Sequence, residues 1–194
     1  MIKKSGITVL GRRLACENSK FFVYFDHVTD PAGNEVKDYL VVAPKYAGPN
    51  MVTGVAILPI VNEQVGLISI YRPALRDFSL EIPHGFVDEG EEEKSSALRE
   101  LLEETGVVAE PQCIRSLGFI TPDSGILAAR VQLFVAEGGR LTTRQDGELG
   151  LGEFQFFDFP EFERMIERSE VQDTFTLAAW CKYRLLKQPG KQQP

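Results

Sequence analysis

The chain has little that would staple it, anchor it or draw it to nucleic acid. Its three cysteines, Cys16, Cys113 and Cys181, lie far apart and no Cys-x-x-Cys occurs. That pattern excludes a disulfide framework and a cysteine-built zinc site, and it fits a reducing, cytoplasmic setting. The two histidines, His27 and His84, show no zinc-ligand spacing. No apolar run approaches the roughly 20 residues that cross a bilayer, so no membrane partner is expected. The opening stretch MIKKSGITVLGRRLA carries basic residues without a long apolar core, so no secretory signal is expected. Positive charge is also short: 21 Lys and Arg against 28 Asp and Glu leave a net charge of −7. A nucleic-acid surface would need a basic patch, and none is expected. There is no P-loop and no Gly-x-Ser-x-Gly. What remains is ordinary globular material, 43% hydrophobic and 25% charged. It is enough for one domain, or one with a small addition.

Alternation and turn residues organise the chain. Residues 20–29 and 35–43 read as the strands of a hairpin closed by Asp30-Pro31-Ala32-Gly33-Asn34. His27, among apolar neighbours there, reads as structural. Residues 44–50, rich in turn formers, mark a boundary that separates an N-terminal extension, 1–46, from a main domain, 47–194. The apolar runs 55–61 and 65–71 read as buried strands of a central sheet. Residues 74–79, with Arg76, read as a loop. Further strands are expected over 114–120, 129–136 and 153–159, with helices over 161–167 and 171–186. The polar stretch 138–152 reads as a long loop, and such loops are usually functional. Strands alternating with a few helices give α/β or α+β.

The most informative segment is 85–107, GFVDEGEEEKSSALRELLEETGV. It reads as a glycine loop that feeds a helix and is stopped by Gly106 at the C-cap position. At about 100° per residue, Ala97, Leu98, Leu101 and Leu102 share one arc. Glu100, Glu103 and Glu104 share the other. Like charges at i,i+3 and i,i+4 cost helix stability. Converging carboxylates are, however, what a hard divalent cation requires. Gly85 allows backbone to approach closely where a Cβ would obstruct. The plainer reading of such a helix is a solvated acidic face.

The spaced set Gly85, Glu91, Arg99, Glu100, Glu103, Glu104 and Gly106, with Leu101 and Val107 between, resembles the Nudix box of the Nudix hydrolases. The resemblance implies the Nudix fold over about residues 50–190, a mixed β-sheet in an α/β/α sandwich, here with a small N-terminal β-sheet extension. It implies hydrolysis of a nucleoside diphosphate linked to another moiety. It implies Mg²⁺, with Mn²⁺ as the alternative, held by Glu100 and Glu104 with Glu103 assisting. The carbonyl of His84, before the box glycine, would complete the set; relatives usually carry a small residue there. Glu91 and Arg99 would tie loop to helix, as structural members with Gly85 and Gly106.

Features outside the box resemble the ADP-ribose and ADP-sugar pyrophosphatase branch. They are Ile70-Tyr71-Arg72, the stretch Leu80-Glu81-Ile82-Pro83-His84-Gly85, and Pro122, sixteen residues after Gly106. The branch implies substrate contacts from Arg72 and Glu81, and from the loop with Pro122 and Gly125. It implies a general base from about 140–153, where Glu148 and Glu153 are candidates with Asp146 behind them. It also implies a homodimer built on the N-terminal sheet, which shapes an adenine site. Phe22, Tyr24 or Phe25 would stack there, although core packing explains them as well. The expected reaction is ADP-ribose to AMP and ribose 5-phosphate. ADP-glucose, GDP-mannose and NADH are the alternative substrates, and a non-catalytic nucleotide-sugar sensor is the competing class.

Overall fold

In a computed structural model the chain is described over residues 6–144 and 149–188. It divides into two compact units. The first holds the residues up to 53 together with 121–130, and the second holds 54–120 with the residues from 131 onward.

The first unit is built on an antiparallel three-stranded sheet in the order β1 (Thr8–Glu17), β2 (Phe21–Thr29), β3 (Glu35–Pro44). The sequence announces β2 and β3 but not β1. Every residue of β1 is exposed, so no apolar-polar alternation marks it. It pairs with β2 from Thr8↔Thr29 to Glu17↔Phe22, through two bulges. Arg12 of β1 donates from Nε and Nη2 to the two carboxylate oxygens of the buried Asp26, at 2.8 and 2.7 Å. The Arg12 bonds hold the Asp26 carboxyl below its ordinary range, against the opposing pull of burial. The β2–β3 turn is closed by Asp30, whose Oδ1 accepts from the N–H groups of Ala32 and Asn34. His27 pairs with Glu35 across the hairpin at 3.1 Å.

The 121–130 segment joins this unit by backbone bonds. Val42 N–H donates to the Ile126 carbonyl and Ala128 N–H to the Val42 carbonyl, both at 2.9 Å. Tyr39 Oη donates to the Gly125 carbonyl at 2.7 Å. The first unit therefore runs to 53 rather than 46, and it includes a loop that sequence distance alone would assign to the main domain.

β4 (Val52–Val61) carries the chain into the second unit. There follow β5 (Gln64–Arg72), β6 (Asp77–Glu81), β7 (His84–Phe86), the helix α1 (Glu93–Thr105), β8 (Val107–Val108) and β9 (Ile114–Ile120). Then come β10 (Arg130–Glu137), β11 (Arg140–Leu141), β12 (Leu151–Asp158), α2 (Phe159–Glu167) and α3 (Thr174–Leu186). The central sheet runs β12-β5-β4-β10-β9, with β6 on β5 and β7 on β4.

Side chains alternate across a strand. Ala56, Leu58, Ile60, Val65, Leu67, Leu133 and Val135 pack in one cluster with Phe162 and Met165 of α2 and with Ala179, Trp180 and Tyr183 of α3. The intervening Val55, Ile57, Ile68, Ile70, Phe134 and Ala136 are buried too. Burial of both faces is why β4 and β5 read as continuous apolar runs. The chain thus has the expected fold class: a central sheet flanked by helices, with an added N-terminal antiparallel sheet.

Two loop expectations are corrected. Residues 77–79 belong to β6, which pairs Arg72↔Asp77, Tyr71↔Phe78 and Ile70↔Ser79 with β5. The intervening turn is tight, with Arg76 in the left-handed region at φ 57°. Within 138–152, Arg140 and Leu141 pair with Val108 and Val107. Thr142 closes on the Gly106 carbonyl through its N–H at 2.7 Å and its hydroxyl at 3.0 Å. Among the described residues, no helix is long and apolar enough to cross a membrane.

Candidate active site

α1 does not present its acids as a solvated face. Ala97 and Leu101 are fully buried, and Glu100 and Glu104, one turn apart, are buried beside them at 8% and 3% exposure. Leu98 and Leu102 are only half-buried, as is Glu103. Two neighbouring carboxylates are rarely buried without charge partners, because desolvation penalises both. The expected C-cap is present. Gly106 takes φ 71°, ψ 9° and its N–H reaches the Leu102 carbonyl.

The partners come from the segment before α1 and from α1 itself. An ideal Cβ on Gly85 would fall 2.0 Å from Oε1 of Glu100, so only glycine leaves room for that carboxylate. β7, which carries Gly85, is held on β4 through Val55↔Gly85 and Ala56↔His84. The His84 N–H donates to Oε2 of Glu104 at 2.9 Å.

Arg99 gathers most of the remaining charge. Its Nε and Nη2 donate to the two oxygens of Glu91 at 3.2 and 3.0 Å, and Nη2 also reaches the Phe86 carbonyl at 3.2 Å. Its Nη1 donates to Glu100 at 2.7 Å and to Glu103 at 3.2 Å. Chiefly through the Arg99 bonds, the Glu91 carboxyl is held down to about 2. The Arg99 guanidinium is correspondingly raised, first by Glu91. The loop-to-helix tie expected of Glu91 and Arg99 is thus present as geometry.

A second cluster forms at the β5–β6–β7 edge. Arg72 donates from Nε and Nη2 to both oxygens of Glu81, at 3.0 and 2.6 Å. Glu81 is 5% exposed. Burial opposes its charge, yet the hydrogen bonds and the charge of Arg72 keep its carboxyl below the ordinary range. Nη2 of Arg72 also lies 2.8 Å from Nε2 of His84.

Sequence reading missed what stands behind His84. Its ring meets Phe175 of α3 edge-on, with centroids 5.0 Å apart. The Ile82 N–H donates to Oγ1 of Thr176, whose hydroxyl donates in turn to Asp173, the N-cap of α3. The Asp-x-x-Thr spacing at the head of that helix was the available signal.

Glu153 is exposed on β12, accepts from Gln155 at 2.9 Å, and borders a groove of about 460 Å³ with Leu80, Phe157 and Met165. No described contact joins it to Glu100, Glu103 or Glu104. Pro122 and Gly125 belong to the first unit. Glu148 and Asp146 lie outside the described residues.

The donor set suits a hard cation. Mg²⁺ uses one or two carboxylates, keeps several waters and takes the rest from substrate phosphates. Buried Glu100 and Glu104, all-oxygen donors one helical turn apart, match that demand, and Gly85 keeps the space beside Glu100 clear. Among the described residues no three His, Cys, Asp or Glu side chains form a ready cage.

Comparison with known proteins agrees with this geometry. Residues 51–180 match the NUDIX domain family. A methanol dehydrogenase activator of Bacillus methanolicus is 32% identical over 131 residues, 64% of this chain and 68% of that protein. An ADP-ribose pyrophosphatase of Bacillus subtilis is 30% identical over 163 residues, 81% of each chain. The crystal structure of an ADP compounds hydrolase superposes with a TM-score of 0.76 at 19% identity, covering 96% of this chain and 95% of that one, which shows the shared fold. With the family match, the box and the buried carboxylates in agreement, the chain belongs to the Nudix family and is an enzyme of the nucleotide-pyrophosphatase kind.

Proposed function

We propose that the protein hydrolyses the diphosphate bond of ADP-ribose, giving AMP and ribose 5-phosphate, with Mg²⁺ as cofactor. The observation that carries this reading is the burial of Glu100 and Glu104 side by side next to Gly85. Arg99 balances part of that buried charge, and a divalent cation would balance more of it. The B. subtilis relative, matched over 81% of its length, supports the choice of substrate.

The diphosphate resists hydrolysis because its charge repels anionic nucleophiles and its leaving phosphate is poor. A bound divalent metal neutralises the diphosphate and lowers the pKa of water. The chain's own residues do the rest. Glu100 and Glu104 would hold the metal, with Glu103 and the His84 carbonyl assisting. Arg72 takes an anionic oxygen of the substrate, a task a guanidinium fork suits. Glu81 fixes Arg72. An acid of the 140–153 segment, Glu148 or Glu153, accepts the proton of the attacking water.

We also propose a homodimer through the three-stranded sheet. Ile7, Val9, Leu10, Leu14, Val36 and Leu40 are exposed on that unit, and exposed apolar surface of this kind marks an interaction site. Leu14→Glu with Leu40→Glu should convert a dimer to a monomer by light scattering. A wild-type protein of monomer mass would sink this part of the reading.

The deciding experiment is product analysis after incubation with Mg²⁺ and ADP-ribose, run beside Glu104→Gln. AMP and ribose 5-phosphate from the wild type alone support the whole reading. No products from a folded protein would remove ADP-ribose and send the search to ADP-glucose, GDP-mannose and NADH. Binding without turnover of any of these would favour a sensor.

A further inference from the structure

We infer that His84 is a positioning residue for the substrate: its imidazole locks the Arg72 guanidinium so that one edge of it faces the bound diphosphate. The inference rests on the proposed role of Arg72.

The two ring nitrogens have distinct partners. Nδ1 lies 2.9 Å from the Ile82 carbonyl, which can only accept, so Nδ1 carries the hydrogen. Nε2 lies 2.8 Å from Nη2 of Arg72, which can only donate, so Nε2 is the acceptor. The tautomer is thereby fixed by its surroundings. Ile82, whose carbonyl orients the ring, is itself held, since its N–H donates to Thr176 at 2.9 Å and Thr176 donates to the N-cap Asp173 at 2.7 Å. Hydrogen bonds on either side of Ile82 therefore tie the head of α3, through the backbone of that residue, to His84 and Arg72. Phe175, edge-on against the ring, stops it from swinging away.

The consequence falls on Arg72. Glu81 takes its Nε and one hydrogen of Nη2. His84 takes the other hydrogen of Nη2. Two anchors at different angles fix the guanidinium in its plane, where one carboxylate alone would leave it to rock. Nη1 makes no hydrogen bond among the described residues. With the Arg72 side chain 32% exposed, that nitrogen is the one left to meet an anionic oxygen. A small residue at position 84 would leave the second Nη2 hydrogen unanchored.

The test is equilibrium binding of ADP-ribose, and separately of inorganic pyrophosphate, measured by calorimetry in EDTA with the full chain. His84→Ala should weaken binding about tenfold, the scale of a lost hydrogen bond to a charged group. His84→Gln, whose Oε1 can stand where Nε2 stood, should recover most of it. In the Arg72→Ala background His84→Ala should cost nothing further. In steady-state assays with Mg²⁺ the His84→Ala loss should appear mainly in KM. Equal weakening by Ala and Gln, or additive losses with Arg72→Ala, would reduce His84 to a packing residue and overturn the inference. Should His84→Ala not fold, ¹⁵N NMR of the wild type decides: a protonated Nε2 overturns the inference, and an acceptor-type Nε2 sustains it. Pyrophosphate binding with this variant pattern, but no ADP-ribose binding or hydrolysis, would overturn the substrate reading and leave the His84 assignment standing. Binding of neither ligand overturns both.

Discussion

Two arginines of the second unit grip glutamates in the same bidentate way, and they end with different prospects. Arg99 uses all three nitrogens internally, on Glu91, Glu100, Glu103 and the Phe86 carbonyl. Arg72 uses Nε and Nη2 on Glu81 and His84 and leaves Nη1. A guanidinium has five donors in a fixed fork. Where they are spent on the protein, the arginine is a clamp. Where an edge is left over and reaches solvent, it is a recognition group. Exposure does not separate the two, at 30% and 32%, so the count of partners is what distinguishes them.

The comparison can be broken at several points. The largest expected effect lies between the two arginines. Glu104→Gln should lower kcat by at least about 100-fold with the fold intact, since it weakens both the charge and the acceptor that faces the His84 N–H. Near-wild-type turnover would take Glu104 out of the site.

Next comes the clamp. Arg99→Ala should destabilise the protein by about 2–4 kcal/mol in denaturant unfolding, because it removes a cation from the buried Glu100 and releases Glu91. A loss confined to KM would show instead that Arg99 meets substrate.

The recognition arginine should behave in the opposite way. Arg72→Lys keeps the charge but loses the fork, so KM should rise about tenfold with a small change in melting temperature. A large fall in stability with KM unchanged would make Arg72 a second clamp.

The smallest effect is one of pH. The Glu91 carboxyl is held down to about 2 from an ordinary 4.5, chiefly by Arg99. A depressed carboxylate stabilises the fold above its unfolded pKa, and that contribution is lost as pH falls toward the folded one. Wild type should therefore outlast Glu91→Gln at pH 6, and the gap in melting temperature should close between about pH 4.5 and 2. A gap independent of pH would mean that packing, not charge, is what Glu91 contributes.

Much of this was legible in the sequence. The segment 85–107 displayed its helix, its glycine stop and its spaced acids, because local rules fix all three: 3.6-residue periodicity, a left-handed C-cap and the freedom of glycine. β4 and β5 were legible because burial on both faces writes an unbroken apolar run. β1 was not, since an exposed strand carries no alternation. β6 was hidden by a turn that only the pairing of Tyr71 with Phe78 reveals.

Residue types and spacing alone determined the family motif, the acidic helix and the α/β class, since each follows from contacts within a few residues of chain. Tertiary structure decided the rest. It buried Glu100 and Glu104 rather than leaving them on a solvated face, drew 121–130 onto the N-terminal sheet, and set His84 between Ile82 and Arg72. Each of those outcomes depends on groups distant in sequence meeting in space, where desolvation and hydrogen-bond geometry, not propensity, choose the partner.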